Sequence, residues 1–361
     1  MSYLSRIETL KARLEAIGSQ ARLDLQFVPG RPPTQAFSEF LTNKEQGDWA
    51  ERTFIKNFNA CEGPLWATKY GRSEDLIAGE PGFDGYYAAY QNELGEIGKR
   101  PDVLLFERDF LRSKGLLNTD ISPLKRTVLD QVVPNAKAAI EVRSSAFLSR
   151  KYDVAAQAEV ESLRGEVSSL LERLRVEFSD ELSQFAPVWL AFASAWIEGR
   201  DPQERPRALG RHSTERLEQV SKITSCVKDR LKQLDQRRFL SITPKAEDLS
   251  LVYRWLQRYE VPHYYCQVFF DRAVLISFER ILELVADPAR ENVDFFVESD
   301  EKNQGKVTFK IDVRLGTELI SQIDLPEHRS AMKELPKGRL LFYVRFEPSA
   351  ANLSNADLFD A

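Results

Sequence analysis

At 361 residues, with 43% hydrophobic and 29% charged side chains, the chain has the composition of a soluble globular protein with room for two or three structural units. No apolar run approaches the roughly 20 residues that cross a bilayer, and Met1-Ser2-Tyr3-Leu4-Ser5-Arg6 lacks a signal peptide's apolar centre, so a cytoplasmic protein without a membrane partner is expected. The net charge of -5 argues mildly against a nucleic-acid coat, yet residues 200–238 hold eleven Lys or Arg against six Asp or Glu, a local basic arm or a solvated helical face.

Residues 1 to about 18 carry Leu4, Ile7, Leu10, Leu14 and Ile17 at helical spacing. Pro29-Gly30-Arg31-Pro32-Pro33 is a stiff break. A second helix is expected from Thr34, restarting at Glu45 and running to Phe58, with Trp49, Phe54, Ile55 and Phe58 on one face. Leu65–Tyr70 reads as a strand, and Gly82-Phe83 leads into a helix carrying Tyr86, Tyr87 and Tyr90, which are more often packing residues than stacking platforms. Gly98–Phe106 and Ala138–Ser145 each read as a buried strand, with a helix from Pro123 to Val132 between them. Helical periodicity then holds from Leu148 to about Gln236. The sheet is expected to resume at Arg238–Thr243, followed by a helix opened by Pro244 and strands at His263–Phe270 and Val274–Ile276. A helix over Phe278–Val285 leads to β segments at Asp294–Val297, Lys306–Val313 and Arg339–Phe346, and the last fifteen residues read as a loose acidic tail. The fold class is therefore α/β, a mixed central sheet flanked by helices with a large helical insertion and a C-terminal β region. The expected segments are an N-terminal helical part (1–44), a first core part (45–147), the insertion (148–237), a second core part (238–290) and the β region with its tail (291–361).

Cys61, Cys226 and Cys266 form no CxxC pair, and His212, His263 and His328 are scattered, so a disulfide framework or a zinc site is not expected. Any metal should be one that oxygen ligands hold. The carboxylates are more informative. Asp102 stands at the mouth of a Val-Leu-Leu-Phe run, and Glu141 lies within Ala-Ala-Ile-Glu-Val. A carboxylate rarely enters a central strand without a charged partner or a metal. The pair reads either as ordinary salt bridges at two strand ends or as a shared Mg²⁺ site that would hold a phosphate. Two cations could complete such a site. Arg143, two residues beyond Glu141, shares its face of the strand but cannot accept a proton from water. Lys245, at the end of the next expected strand, is the better water activator, or else a surface lysine in a helix's first turn.

Pro101-Asp102, a spacer, then Glu141-x-Arg143 resembles the PD-(D/E)XK nuclease superfamily, with Arg143 where its signature has Lys. The wider pattern is similar to type II restriction endonucleases, most of all the AccI family. The matching stretches are Gly47–Glu51, Gly98–Asp102, Ile140–Ser145, Lys245–Leu249 and Val268–Asp271. The resemblance implies a PD-(D/E)XK core, Mg²⁺-dependent cleavage of double-stranded DNA, and a homodimer reading a short palindromic site, with no nucleotide cofactor. Carried over by position, Asp102 and Glu141 are the metal ligands, and Lys245, Arg143 and Glu51 complete the catalytic set. Glu51 would be an accessory acid orienting Lys245 or a metal-bound water. DNA contacts are expected from Arg205, Arg207 and Arg211 and from Lys337 and Arg339, with Glu74 and Asp75 as further candidates. The alternatives are a nucleic-acid-binding protein with a decayed nuclease core and a helical scaffold protein.

Overall fold

The computed structural model describes residues 2–72, 76–200, 202, 204–210, 214–300, 306–354 and 356–359. The chain divides into two compact units, one built from residues 1–149 and 240–361, the other from residues 150–239.

The first unit begins with α1 (Tyr3–Ala16), α2 (Ser38–Ala60), β1 (Leu65–Lys69), α3 (Phe83–Ile97), β2 (Val103–Glu107), α4 (Arg108–Ser113), α5 (Arg126–Val132) and β3 (Ala138–Ser144). The second unit is helical: α6 (Ser149–Glu177), α7 (Ser179–Phe185), α8 (Pro187–Ile197) and α9 (Glu215–Leu234). It has a core of its own, in which Val167, Leu171 and Leu174 of α6 meet Trp189 and Phe192 of α8 and Val220 and Val227 of α9. The first unit then resumes with β4 (Ser241–Ile242), α10 (Ala246–Tyr259), β5 (His263–Val268), β6 (Ala273–Ser277) and α11 (Phe278–Val285). It ends with β7 (Phe295–Asp300), β8 (Lys306–Asp312), β9 (Thr317–Ile323), β10 (His328–Glu334), β11 (Leu340–Phe346) and β12 (Ala351–Leu353).

Among the described residues the central sheet has seven strands in the order β1-β2-β3-β5-β6-β9-β12. All neighbours are antiparallel except β3 and β5, which pair in parallel. A parallel pair needs a crossover, and here the crossover contains both the helical unit and α10. The first four residues of β2 are fully buried, as their unbroken apolar run requires. In β3, Ala138, Ile140 and Val142 join Trp49, Phe54 and Phe58 of α2 in one apolar cluster. The period of two therefore turns Ala139, Glu141 and Arg143 to the opposite face.

Several expectations are corrected. Residues 38–60 form one uninterrupted helix, because packing of its apolar face carries it through Gly47. The strand expected at residues 238–243 shrinks to Ser241–Ile242 and belongs to a separate sheet, β4-β8-β7. Arg238 stays out because its guanidinium donates to the Gln233 and Leu234 carbonyls at the end of α9. Pro244 lies two residues before α10, whose N-cap is Lys245. The described residues of the tail are not loose: β12 pairs with β9, and the ring of Phe359 packs 6.1 Å from Phe58 and 5.3 Å from Tyr264. Strands β9 and β10 and helix α4 lie where no element was expected.

Gly98 fixes how α10 meets the loop before β2. Its φ is +80°, and a Cβ there would lie 2.1 Å from the Leu251 carbonyl oxygen. The next residue, Lys99, donates its N–H to that same oxygen at 3.2 Å. Gly98→Ala combines strained backbone with a clash against main chain and should cost about 2 kcal/mol or more. A lowered urea midpoint, with an unchanged slope, is the expected measurement.

Candidate active site

Asp102 directly precedes β2, and Val103 pairs with Ile140 of β3, so one further step along the register brings Asp102 opposite Glu141. The Asp102 Oδ2 accepts the Val142 N–H at 2.7 Å, and its carbonyl oxygen accepts the N–H groups of Tyr70 and Gly71, both at 2.9 Å. Gly71 is needed here, since a Cβ would fall 2.9 Å from the Asp102 Cα and 3.1 Å from its Oδ1. Three segments thus hold one carboxylate in place.

Glu141 is 2% exposed and lies in a closed ionic cluster. Its Oε1 accepts from the Lys99 ammonium at 2.5 Å and from Arg143 Nη2 at 3.0 Å. The same Arg143 nitrogen donates to Asp248 of α10 at 2.8 Å, and Lys99 lies 3.9 Å from that carboxylate. Burial alone would raise the Glu141 carboxyl, but Lys99 and Arg143 outweigh it and hold Glu141 below the usual carboxylate range. Asp248 behaves alike, its burial outweighed by Lys99, Arg143 and Lys245. The two cations stay charged, because the carboxylates around them outweigh their own burial. Asp102 is the opposite case: burial, then the neighbouring Glu141 and Glu51 carboxylates, push it well above the usual range. Glu51 of α2 is also raised by burial, against the pull of Lys69 at 3.4 Å.

Asp102, Glu141, Arg143, Glu51 and Lys99 line one cavity of about 790 Å³. Among the described residues no three His, Cys, Asp or Glu side chains converge as metal ligands. The donor set is sparser. Glu141 Oε2 is buried without a hydrogen-bond partner, and the Asp102 carboxyl sits among like charges. Two carboxylates with water and substrate oxygens suit Mg²⁺, so these residues fit such an ion.

A family model for the AccI restriction endonuclease matches residues 1–360. The chain belongs to the AccI restriction endonuclease family. No curated protein and no solved structure matches it. Membership makes this restriction endonuclease a nuclease whose substrate is DNA. Among the described residues, no helix is long and apolar enough to cross a membrane.

Other candidates of this endonuclease lie elsewhere. Lys245 is exposed at the N-cap of α10, outside the central sheet, and its backbone bridges Thr308 of β8. In the helical unit Arg205 lies 3.4 Å from Asp235, and Arg207 is exposed, its carbonyl accepting from Trp189. Lys337 is exposed in the turn joining β10 to β11, and the Arg339 guanidinium lies 5.2 Å from the Phe37 ring centre. Arg211, Glu74 and Asp75 lie outside the described residues. Sequence reasoning singled out neither Lys99 nor Asp248. Both stand inside stretches that resemble the family, Gly98–Asp102 and Lys245–Leu249. The signal was there, but only the fold brings Asp248 to a strand residue 105 positions earlier.

Glu141 and Asp102 should respond oppositely to neutralisation in metal-free buffer. A depressed carboxyl contributes stability above its unfolded value and loses it on acidification, whereas a raised one loses stability as the pH climbs through its folded value. Glu141→Gln leaves two half-buried cations with one acid and should cost about 2 kcal/mol at neutral pH. Asp102→Asn removes an uncompensated charge, keeps an acceptor for Val142 N–H, and should raise the urea midpoint, more at pH 8 than at pH 5. Urea titrations of both variants at the two pH values check the signs.

Proposed function

We propose that the protein is a Mg²⁺-dependent type II restriction endonuclease with a PD-(D/E)XK core, cutting both strands of duplex DNA at a short palindromic site as a homodimer. The observation that carries this reading is the meeting of Asp102 and Glu141 from adjacent strands, beside two half-buried cations, in the wall of one cavity. Support for the core comes from the mixed sheet with helices packed against it and from the family match. Support for a two-fold assembly is the symmetry argument that a palindrome is matched by a two-fold protein.

In this reading Asp102 and Glu141 hold the ion, which when bound polarises the scissile phosphate and its attacking water. Lys99 and Arg143 present fixed positive charge where the phosphoryl oxygens gain negative charge in the transition state. Arg143 cannot take a proton, so its contribution is electrostatic. Asp248 keeps both cations in place. Glu51 orients water at the rim of the same cavity. Lys245 acts at a distance, through its field on Asp248.

The test is incubation of supercoiled plasmid with MgCl₂, against an EDTA control. Discrete fragments with ends of one sequence are expected from the native protein. Asp102→Ala and Glu141→Ala should leave the plasmid intact while the folded far-UV spectrum persists. Lys99→Ala should slow cleavage by about 10²-fold, and Lys245→Ala should stay within a few-fold of the native rate. Loss of cleavage in Lys245→Ala with retention in Lys99→Ala would return the role to Lys245.

A further inference from the structure

The cavity that holds Asp102 and Glu141 has an aromatic rim that the chemistry of those groups does not use. Phe37, the N-cap residue of α2, is 59% exposed, and Phe40, in the helix's first turn, is 45% exposed. Both line the same cavity as the two carboxylates. Exposing two phenylalanines to water is costly: each withholds an area that burial would stabilise at about 25 cal/mol per Å². A cation stands against one of them: the Arg339 guanidinium lies 5.2 Å from the Phe37 ring centre. Lys44 and Arg72 also line the cavity, each paired with an acid, Asp48 and Glu93.

A cavity of about 790 Å³ is of the size that takes a small molecule or a few nucleotide groups, not a duplex. A scissile phosphate can reach Asp102 and Glu141 only if the DNA rests on the rim. Aromatic side chains offer phosphates nothing. They do offer a stacking face or an apolar wedge to bases that have lost a neighbour.

We propose that Phe37 and Phe40 form an aromatic lip that stacks on or wedges between bases next to the scissile phosphate, with Arg339 holding the backbone beside Phe37. The lip opens the base step at the cut and lets the strand dip into the cavity. This inference rests on the nuclease reading above and adds to it a groove contact by these two residues.

The experiment begins with a plasmid that the native protein cuts, whose fragment ends define the site. A short duplex carrying that site, with 2-aminopurine in turn at each base flanking the cut, is bound by an Asp102→Asn protein that does not cleave it. The same measurement follows with Phe37→Ala and Phe40→Ala added. The aminopurine signal at one flanking base should change on binding in the first protein and not in the second, with affinity about tenfold weaker. Phe37→Trp with Phe40→Trp should restore both readouts. Because both side chains are exposed, the unfolding midpoint should not move. Equal affinity, within about twofold, and an equal aminopurine signal without the aromatic rings would overturn the lip. A native protein that leaves every plasmid intact with MgCl₂ would instead overturn the nuclease reading, and the lip with it.

Discussion

The site depends on Glu141 being ionised in the middle of a buried strand. Removing a lone carboxylate from water costs several kcal/mol even after relaxation. Glu141 meets that cost through Lys99 and Arg143, whose own burial is offset in turn by Asp248. Two acids and two bases make a neutral group, so no excess charge is carried into the core. The group also ties three parts of the chain together: the loop after α3, β3 and the first turn of α10. Its geometry therefore follows the fold and not the rotamers of one residue.

Asp102 has less such company: Lys99 pulls its carboxyl down, but burial, Glu141 and Glu51 outweigh that pull. It makes its hydrogen bond to a main-chain N–H and faces Glu141 and Glu51 as like charges. The contrast between neighbours is informative. One carboxylate is neutralised by the protein, and the other is kept from full ionisation by it. In the proposed reading Asp102 and Glu141 would hold the divalent cation, and its charge would offset the repulsion at Asp102. Lys99 and Arg143 both contact Oε1, the other oxygen of the same carboxylate. The two oxygens of Glu141 thus differ, one facing protein cations and one buried without a hydrogen-bond partner.

Much of this was legible in the sequence because the residues involved are local. The Val-Leu-Leu-Phe run marks β2 as buried on both faces and puts Asp102 at its edge. The alternation around Ile140-Glu141-Val142 places Arg143 on the face of Glu141. What was not legible depends on pairing at long range. Lys245 was expected on the core sheet because Leu240-Ser241-Ile242-Thr243 has strand character. That segment pairs with β8 in another sheet instead. Lys99 was passed over because a lysine three residues before an acid has no periodicity to mark it, and only the positive φ of Gly98 turns the chain so that it reaches Glu141. The tail read as loose because its composition is polar, yet a single ring, Phe359, anchors it between Phe58 and Tyr264.

The long insertion raises a physical question: how can a cluster as tight as this one include Asp248 on the far side of a ninety-residue helical unit? Loop closure gives the answer. The entropic cost of joining two chain ends grows only with the logarithm of the intervening length, about 0.6 kcal/mol for each doubling. A unit with its own core adds still less, because its residues are already ordered. The β3–β5 pair is parallel and so requires a crossover of some length in any case. An insertion there interrupts no antiparallel hairpin and breaks no register. The crossover is the place in this sheet where a large unit can be accommodated while Glu141, Arg143 and Asp248 stay within hydrogen-bonding distance of one another.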